Sequence, residues 1–266
     1  MKKTERRGQG GFTILELLIA TAVFMMICAA IFGLLELSQK NYGNESQMSG
    51  TFQEARLAVD QIVRDFSQAG YPSLGMFSET PTSAANYAIA PVAWSPGYPA
   101  TNCTIGTGGG GTCIPTPGDF DLIVEADTGN GVSWIRYQLL NGTLYRAIVP
   151  KVAGVDPVAA TSATGVMVPF VSNVLNNPTS AQLTEINATY PTMFPGGATA
   201  VPVFQYTCDT GAGAQPCPTA VGGNSPFNVQ DVDITLIVAT PVRDAQTQKL
   251  KIMELNGRGH RLNPTN

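Results

Sequence analysis

A carboxylate at the start of a long uncharged segment places the strongest constraint on this chain. Residues 17–35 contain no charged side chain, and Glu16 stands directly before them. At about 1.5 Å per residue, a helix of this length crosses most of a ~30 Å hydrocarbon layer. Because a charge in hydrocarbon is costly unless it is paired, Glu16 is expected to need a cationic partner.

The residues before Glu16 suggest where this cation comes from. Residues 1–11 are basic, and by the positive-inside rule they are expected to stay in the cytoplasm while the remainder faces outward. Cleavage between Gly11 and Phe12 would create a free amine close to Glu16. The cationic side chains of the leader are Lys2, Lys3, Arg6 and Arg7.

Two other kinds of N-terminal signal fit less well. The apolar core of a secretory signal normally spans about 7–15 residues, and residues 17–35 exceed that length. A lipoprotein acylated at Cys28 would need a small residue where the bulky Ile27 stands. Cys28 is therefore interpreted as a packing residue within the span.

The segment from Gly11 to Glu16 reads G-F-T-I-L-E and resembles the start of type IV pilins and of the pseudopilins of type II secretion. The resemblance implies that a membrane-embedded prepilin peptidase cuts after Gly11 and methylates the new amine of Phe12. It also implies that Glu16 neutralises the terminal amine of a neighbouring subunit and so sets the stagger of packed helices. An ion pair in lipid stabilises only the register in which both charges meet.

An apolar pattern predicts that the helix continues beyond the span. Apolar residues recur at steps of four and three, which draws one stripe along a helix, and Gly70-Tyr71-Pro72 would end it. Residues 12–37 are predicted to form a transmembrane or filament-core helix, and residues 38–70 its amphipathic continuation. The stripe consists of Met48, Phe52, Ala55, Val59, Ile62, Phe66 and Ala69.

Glycines interrupt this helix at three positions, Gly33, Gly43 and Gly50. Each weakens a helix by about 1 kcal/mol relative to alanine. They are candidates for bends, or for stretches that melt during assembly.

Two further motifs resemble the PilW-like minor pilins. Arg64-Asp65-Phe66 followed by Ala69-Gly70-Tyr71 is similar to the R-D-x-x-x-A-G-Y ending of their helix. Residues 134–146, W-I-R-Y-Q-L-L-N-G-T-L-Y-R, are similar to a hairpin of PilW-like pilins and J-type minor pseudopilins.

The remainder, residues 71–266, is predicted to form a loop-rich β head. The chain has 28 glycines and 19 prolines, and only 13% of its residues are charged, which favours loops and strands over helices. Prolines make residues 71–117 irregular. Asn141-Gly142 predicts a tight hairpin between strands at 132–140 and 143–149. Strands at 120–126, 201–206, 229–239 and 249–255 would complete an antiparallel sheet, so the predicted fold class is α+β and pilin-like.

Four cysteines of the head fall into two local pairs, Cys103 with Cys113 and Cys208 with Cys217. In an oxidising periplasm these predict two disulfides, each constraining a short loop by roughly 2–3 kcal/mol. A four-cysteine zinc site is the competing interpretation. The spacings are far from the C-x2-4-C pattern of such sites, so disulfides are favoured and no metal site is assigned.

No catalytic constellation is apparent, and an enzyme is not expected. The single histidine, His260, lies in a polar segment and is interpreted as exposed. The run Gly108–Gly111 lacks the G-K-[ST] of a phosphate loop and is interpreted as surface closed by a disulfide. The formal net charge is −4, and loss of the basic leader would make it more negative, so nucleic acid is not expected as a partner.

Two pairs of aspartates have D-x-D spacing, Asp119 with Asp121 and Asp231 with Asp233. On a strand this spacing places both carboxylates on one face. Solvation at strand ends is the favoured interpretation, and Ca²⁺ binding is the weaker one, because no 12-residue calcium loop is present. No other cofactor is expected.

The resemblance implies a structural subunit of a filament, with other pilins and the prepilin peptidase as partners. The large head favours a minor pilin that helps to initiate or cap a type IV pilus. The alternatives are a J-type minor pseudopilin of type II secretion and a tip adhesin that presents the loops at 72–117 and 150–202. The expected location is the bacterial inner membrane, in a single pass with a cytoplasmic leader and a periplasmic C-terminus, and then the pilus or pseudopilus.

Overall fold

One long helix, α1 (Ile14–Ser67), begins the part of the chain that the structure describes. The structure is a computed structural model that describes residues 11–95, 98–99, 103–105, 113, 117–209, 211, 213–217, 225–244 and 247–263. The predicted leader up to residue 10 and the run Gly108–Gly111 lie outside the described residues. The predicted helix is confirmed, and it continues through all three glycines.

Only the last part of α1 packs on the head. Its fully buried positions begin at Ala55, while Met48 and Phe52 are half-buried. The predicted apolar stripe is therefore confirmed from Ala55 onward. The prediction did not include Ala58, which is also buried. The helix ends as predicted, because Gly70 follows with φ +81°, a conformation that side chains disfavour.

The described residues of the head form two four-stranded antiparallel sheets, where the sequence predicted one. The first sheet has the order β1-β2-β3-β4 and the second the order β6-β5-β7-β8. The strands are β1 (Asp121–Asp127), β2 (Val132–Leu140), β3 (Thr143–Pro150), β4 (Val168–Val171), β5 (Phe204–Asp209), β6 (Ala214–Pro216), β7 (Val229–Ala239) and β8 (Ile252–His260).

Both sheets share one apolar core with α1. Ile135 of the first sheet, Ile234 of the second and Ile62 of α1 are buried in the same cluster. The single predicted sheet was wrong because periodicity identifies strands but does not show which strands pair. The hairpin at Asn141-Gly142 is confirmed, with positive φ at both residues.

The sequence analysis missed four short elements: β4, β6, α2 (Pro157–Thr161) and α3 (Ser180–Thr189). Local signals for both helices were present. Asp156 caps α2 directly before Pro157, and Thr179 forms a capping box with Gln182 at the start of α3. Strand β8 also extends to His260, five residues beyond its predicted end.

A partly buried ion pair joins α1 to the hairpin of the first sheet. The guanidinium of Arg146 lies 2.7 Å from a carboxylate oxygen of Asp65, and the hydroxyl of Tyr137 donates to the same oxygen. Gln61 donates to the other oxygen at 2.7 Å. Burial raises the pKa of Tyr137, and the negative charge of Asp65 raises it further, so Tyr137 stays a neutral donor.

Two glycines let α1 lie close to β8. A Cβ atom on Gly257 would come within 2.4 Å of a methyl group of Val59, and one on Gly259 within 3.0 Å of the Phe66 ring. Any other residue at these positions would push the helix away from the sheet. The G-x-G spacing places both glycines on the same face of β8.

We expect Gly257→Ala to lower the free energy of unfolding by about 1–3 kcal/mol, because its methyl group would overpack the contact with Val59. Thermal unfolding of the full chain in detergent measures this change. The control is Gly50→Ala, where the added Cβ meets nothing within 4 Å and should raise helix stability. Adding Val59→Ala to Gly257→Ala should recover part of the loss, and no recovery would contradict the packing argument.

Asp65→Asn should cost about 1.5–3 kcal/mol of unfolding free energy, because it removes charged hydrogen bonds and leaves Arg146 without its carboxylate. Chemical denaturation of the full chain, followed by tryptophan fluorescence, measures the cost. Asp60→Asn is the matched control, since Asp60 is exposed on the same helix and its change should stay within about 0.5 kcal/mol. Equal effects of the two variants would contradict the role given to the ion pair.

Candidate assembly site

Thr13 and Glu16 form hydrogen bonds with each other at the first turn of α1. The Thr13 hydroxyl accepts a hydrogen bond from the backbone N–H of Glu16 at 3.3 Å. In return, Oε2 of Glu16 accepts from the backbone N–H and from the hydroxyl of Thr13, both at 3.0 Å. This reciprocal arrangement is a capping box, which satisfies two N–H groups that a helix start leaves unpaired.

Sequence reasoning assigned Glu16 to charge pairing and missed its capping role. The signal was present, because a threonine followed three residues later by glutamate, ahead of an apolar run, is the pattern of a capping box. Both capping hydrogen bonds to the Glu16 side chain use Oε2, and Glu16 is an exposed residue. A carboxylate has acceptor capacity for both a cap and an amine.

The surroundings of this site are apolar and uncovered within the single chain. Phe12 is 86% exposed, and the large apolar side chains that follow are exposed as well. Of the described residues, one helix contains a stretch long and apolar enough to cross a membrane, and that stretch belongs to α1 near the N-terminus. Side chains of this kind require lipid or other helices around them.

The first residues match a known family. Residues 6–36 fit the family model described as the prokaryotic N-terminal methylation motif. The chain has a pilin-type N-terminus. The match includes Gly11, Phe12, Glu16 and all of the apolar span at 17–35. The motif indicates a type IV pilin or pseudopilin that prepilin peptidase processes. No curated protein and no solved structure matches the chain.

The four cysteines of the head lie where the predicted pairing needs them. The sulfur atoms of Cys103 and Cys113 are joined, as are those of Cys208 and Cys217. The first pair packs beside the buried Trp94, and the second belongs to the main core. Cys28 has a free thiol within α1.

Only one aspartate of the first D-x-D pair is solvated near the strand end. Asp121 is buried at the start of β1 and receives two hydrogen bonds from the guanidinium of Arg136, at 2.9 and 2.6 Å. Because a buried carboxylate needs a partner cation, this pair compensates charge within the head. Asp119 precedes the strand and is exposed.

The second pair belongs to a charged surface on β7 and β8. Arg258 contacts Asp231 at 3.0 Å and Asp233 at 3.7 Å, so both aspartates lie on one face as predicted. His260 lies 2.7 Å from Asp231. Burial alone would raise the pKa of Asp231, but its hydrogen bonds with Arg258 and His260 lower the pKa overall.

The sequence had suggested that His260 lies in a polar tail, and the structure shows that it does not. It is the last residue of β8, and its side chain is about half exposed beside Asp231. The predicted strand ended at residue 255 because the glycines at 257 and 259 weaken a strand pattern. In the described part of the chain, no group of three or more metal-ligating side chains is found.

Another buried ion pair lies beneath the irregular segment that precedes β1. Lys151 is 3.2 Å from Glu125, and both side chains are almost fully buried. Lys151 also donates to the carbonyl of Tyr87 at 2.8 Å, and Trp134 donates to Glu125 at 3.1 Å. Burial lowers the pKa of Lys151, although Glu125 opposes that shift. These contacts attach the segment to the first sheet.

The chain recovered from cells with an active prepilin peptidase should begin at Phe12 and carry one methyl group on its terminal amine. Intact-mass and N-terminal peptide spectrometry measures both features. The control is the same chain from cells without the peptidase, which should retain residues 1–11. A chain that keeps its leader when the peptidase is active would overturn the cleavage assignment at Gly11.

Proposed function

We propose that this chain is a minor pilin that helps to initiate or cap a type IV pilus. The observation that carries the proposal is the match of residues 6–36 to the N-terminal methylation motif. This segment contains the predicted cleavage site, Glu16 and the uncovered apolar part of α1. The motif favours a structural subunit over an enzyme. A minor role is supported by the size of the head, in which two sheets and two disulfides follow α1.

The proposed mechanism uses the charge of Glu16 between subunits. After cleavage, the amine of Phe12 would lie in the same apolar layer as the Glu16 carboxylate of the neighbouring subunit. Neither charge is stable there alone, so helices are held in the one stagger that brings them together. Exposed side chains from Phe12 to Leu35 would then pack against neighbouring helices.

A minor pseudopilin of type II secretion is the closest alternative. It shares the processing, the apolar helix and the charge pairing, and it differs in the subunits that surround the chain. Fractionation decides between the two. A pilin would copurify with sheared surface pili at a small fraction of the major subunit, while a pseudopilin would copurify with the secretion machine and leave pilus number unchanged on deletion.

Glu16→Gln should prevent incorporation into filaments while leaving the capping box formed. Glutamine serves in a capping box as glutamate does, but it carries no charge for the neighbour's amine. The converse variant, Thr13→Val, removes the cap and keeps the charge, and it should incorporate at close to the normal level. Immunoblots of sheared filaments and of membranes measure incorporation and insertion separately.

This pair of variants separates the two roles that the structure gives Glu16. Membrane insertion should be unchanged in both, because residues 17–35 are untouched. Normal incorporation of Glu16→Gln together with loss in Thr13→Val would show that capping is the role that matters. That result would sink the charge-pairing mechanism.

A further inference from the structure

Three of the four outer sheet edges of the head are covered or short. The outer edge of β1 bonds to the preceding chain, with Ala93 donating to Ile123 at 2.8 Å and Glu125 donating to Pro91 at 3.2 Å. Strand β4 has four residues and contains Pro169, and β6 has three. Short strands, prolines and covering segments are the usual protection of an edge against other chains.

In the part of the chain that the structure describes, strand β8 has none of these three protections. It is nine residues long, contains no proline and pairs with β7 in an unbroken register. Among the described residues, no strand other than β7 pairs with β8. A long, regular edge of this kind is a template for another strand.

The register shows which backbone groups of β8 point outward. Thr240 donates to the carbonyl of Lys251, and Arg261 donates to the carbonyl of Gln230, both at 2.9 Å. Hydrogen-bonded residues alternate along an antiparallel pair, so the odd-numbered residues of β8 bond to β7. The even-numbered residues direct N–H and C=O away from the sheet: Ile252, Glu254, Asn256, Arg258 and His260.

The apolar layer between α1 and the second sheet is also incomplete beside β8. Phe52, Val63 and Leu255 pack against the core but are only partly buried. Met253 at the start of the strand is 36% exposed. An added strand with apolar residues on the α1 side would cover these side chains and continue the core.

The direction of β8 restricts what can pair with it. Gly257 lies under Val59 and Gly259 under Phe66, so β8 and α1 run in the same direction. Antiparallel pairing of β8 with β8 of a second copy would point the two α1 helices in opposite directions. Two chains with spans in one membrane cannot adopt that arrangement.

We infer that the open edge of β8 takes an extended segment of a different pilin-type subunit, paired antiparallel. The inference rests on the proposed function, because subunits whose helices pack side by side bring their heads beside one another. The donated segment runs back toward the membrane. It alternates apolar residues, which cover Phe52, Val63 and Leu255, with polar residues beside Glu254 and Arg258.

The test uses the full chain in its native membrane together with the other pilins. Asn256→Pro removes one outward N–H and leaves the hydrogen bonds to β7 in place. Asn256→Ala is the matched control, since it removes the same side-chain bonds to Thr235 and Glu254 and keeps the N–H. Incorporation of the proline variant should fall about tenfold relative to the alanine variant. Protease resistance of the head reports whether each variant is folded.

A photo-crosslinking measurement keeps the inference testable if the proline variant does not fold. A benzophenone side chain at position 254 should cross-link to another subunit with a prepilin-type N-terminus. The same group at position 168, on the short strand β4, should not. Mass spectrometry should place the cross-link in a β-forming segment.

The outcomes separate this inference from the proposed function. A folded proline variant that incorporates like the alanine variant would overturn the inference. Two cross-linking results would also overturn the inference if the chain still enters filaments. One is a cross-link from position 254 to a second copy of this chain, and the other is the absence of any cross-link from position 254. Absence of the unmodified chain from every filament would instead overturn the proposed function.

Discussion

The contact of Asp65 with Arg146 and Tyr137 fixes how the head sits on the helix. Asp65 is buried near the end of α1, and it contacts both the guanidinium of Arg146 and the hydroxyl of Tyr137 on the hairpin. About 75 Å of continuous helix separates Asp65 from Glu16, at 1.5 Å per residue. The head is attached at one end of this helix. An axial offset between neighbouring helices that is set at Glu16 therefore also sets the position of the head along the filament.

The close approach of α1 to β8 has the same consequence for the second sheet. Gly257 and Gly259 allow the helix to lie directly on the strand, so the open edge of β8 keeps a fixed height relative to Glu16. Pairing at Glu16 and pairing at β8 would then reinforce each other, since one register of the helices brings both partners into place. A filament built in this way would gain specificity from two distant contacts on one continuous helix.

Local patterns predicted the elements of this fold better than their arrangement. The span, the helix end at Gly70 and the hairpin at Asn141-Gly142 follow from short-range chemistry that a sequence displays directly. The division into two sheets depends on contacts between distant segments, such as Val203 with Asp119, and no local pattern contains it. For the same reason, Asp65 was noted only as part of a motif, and its partners on the hairpin were not foreseen. At the candidate site, the positions of Gly11, Phe12 and Glu16 came from the motif, while the capping role of Glu16 required the geometry of Thr13.

The most direct measurement of the central claim is a zero-length cross-link within assembled filaments. A carbodiimide joins a carboxylate to an amine only when the two are in contact. We predict an amide between Glu16 of this chain and the terminal amine of a neighbouring subunit, identified by mass spectrometry of the joined peptides. Filaments that contain the chain but yield no such amide, while other contacting carboxylate and amine pairs do react, would contradict it.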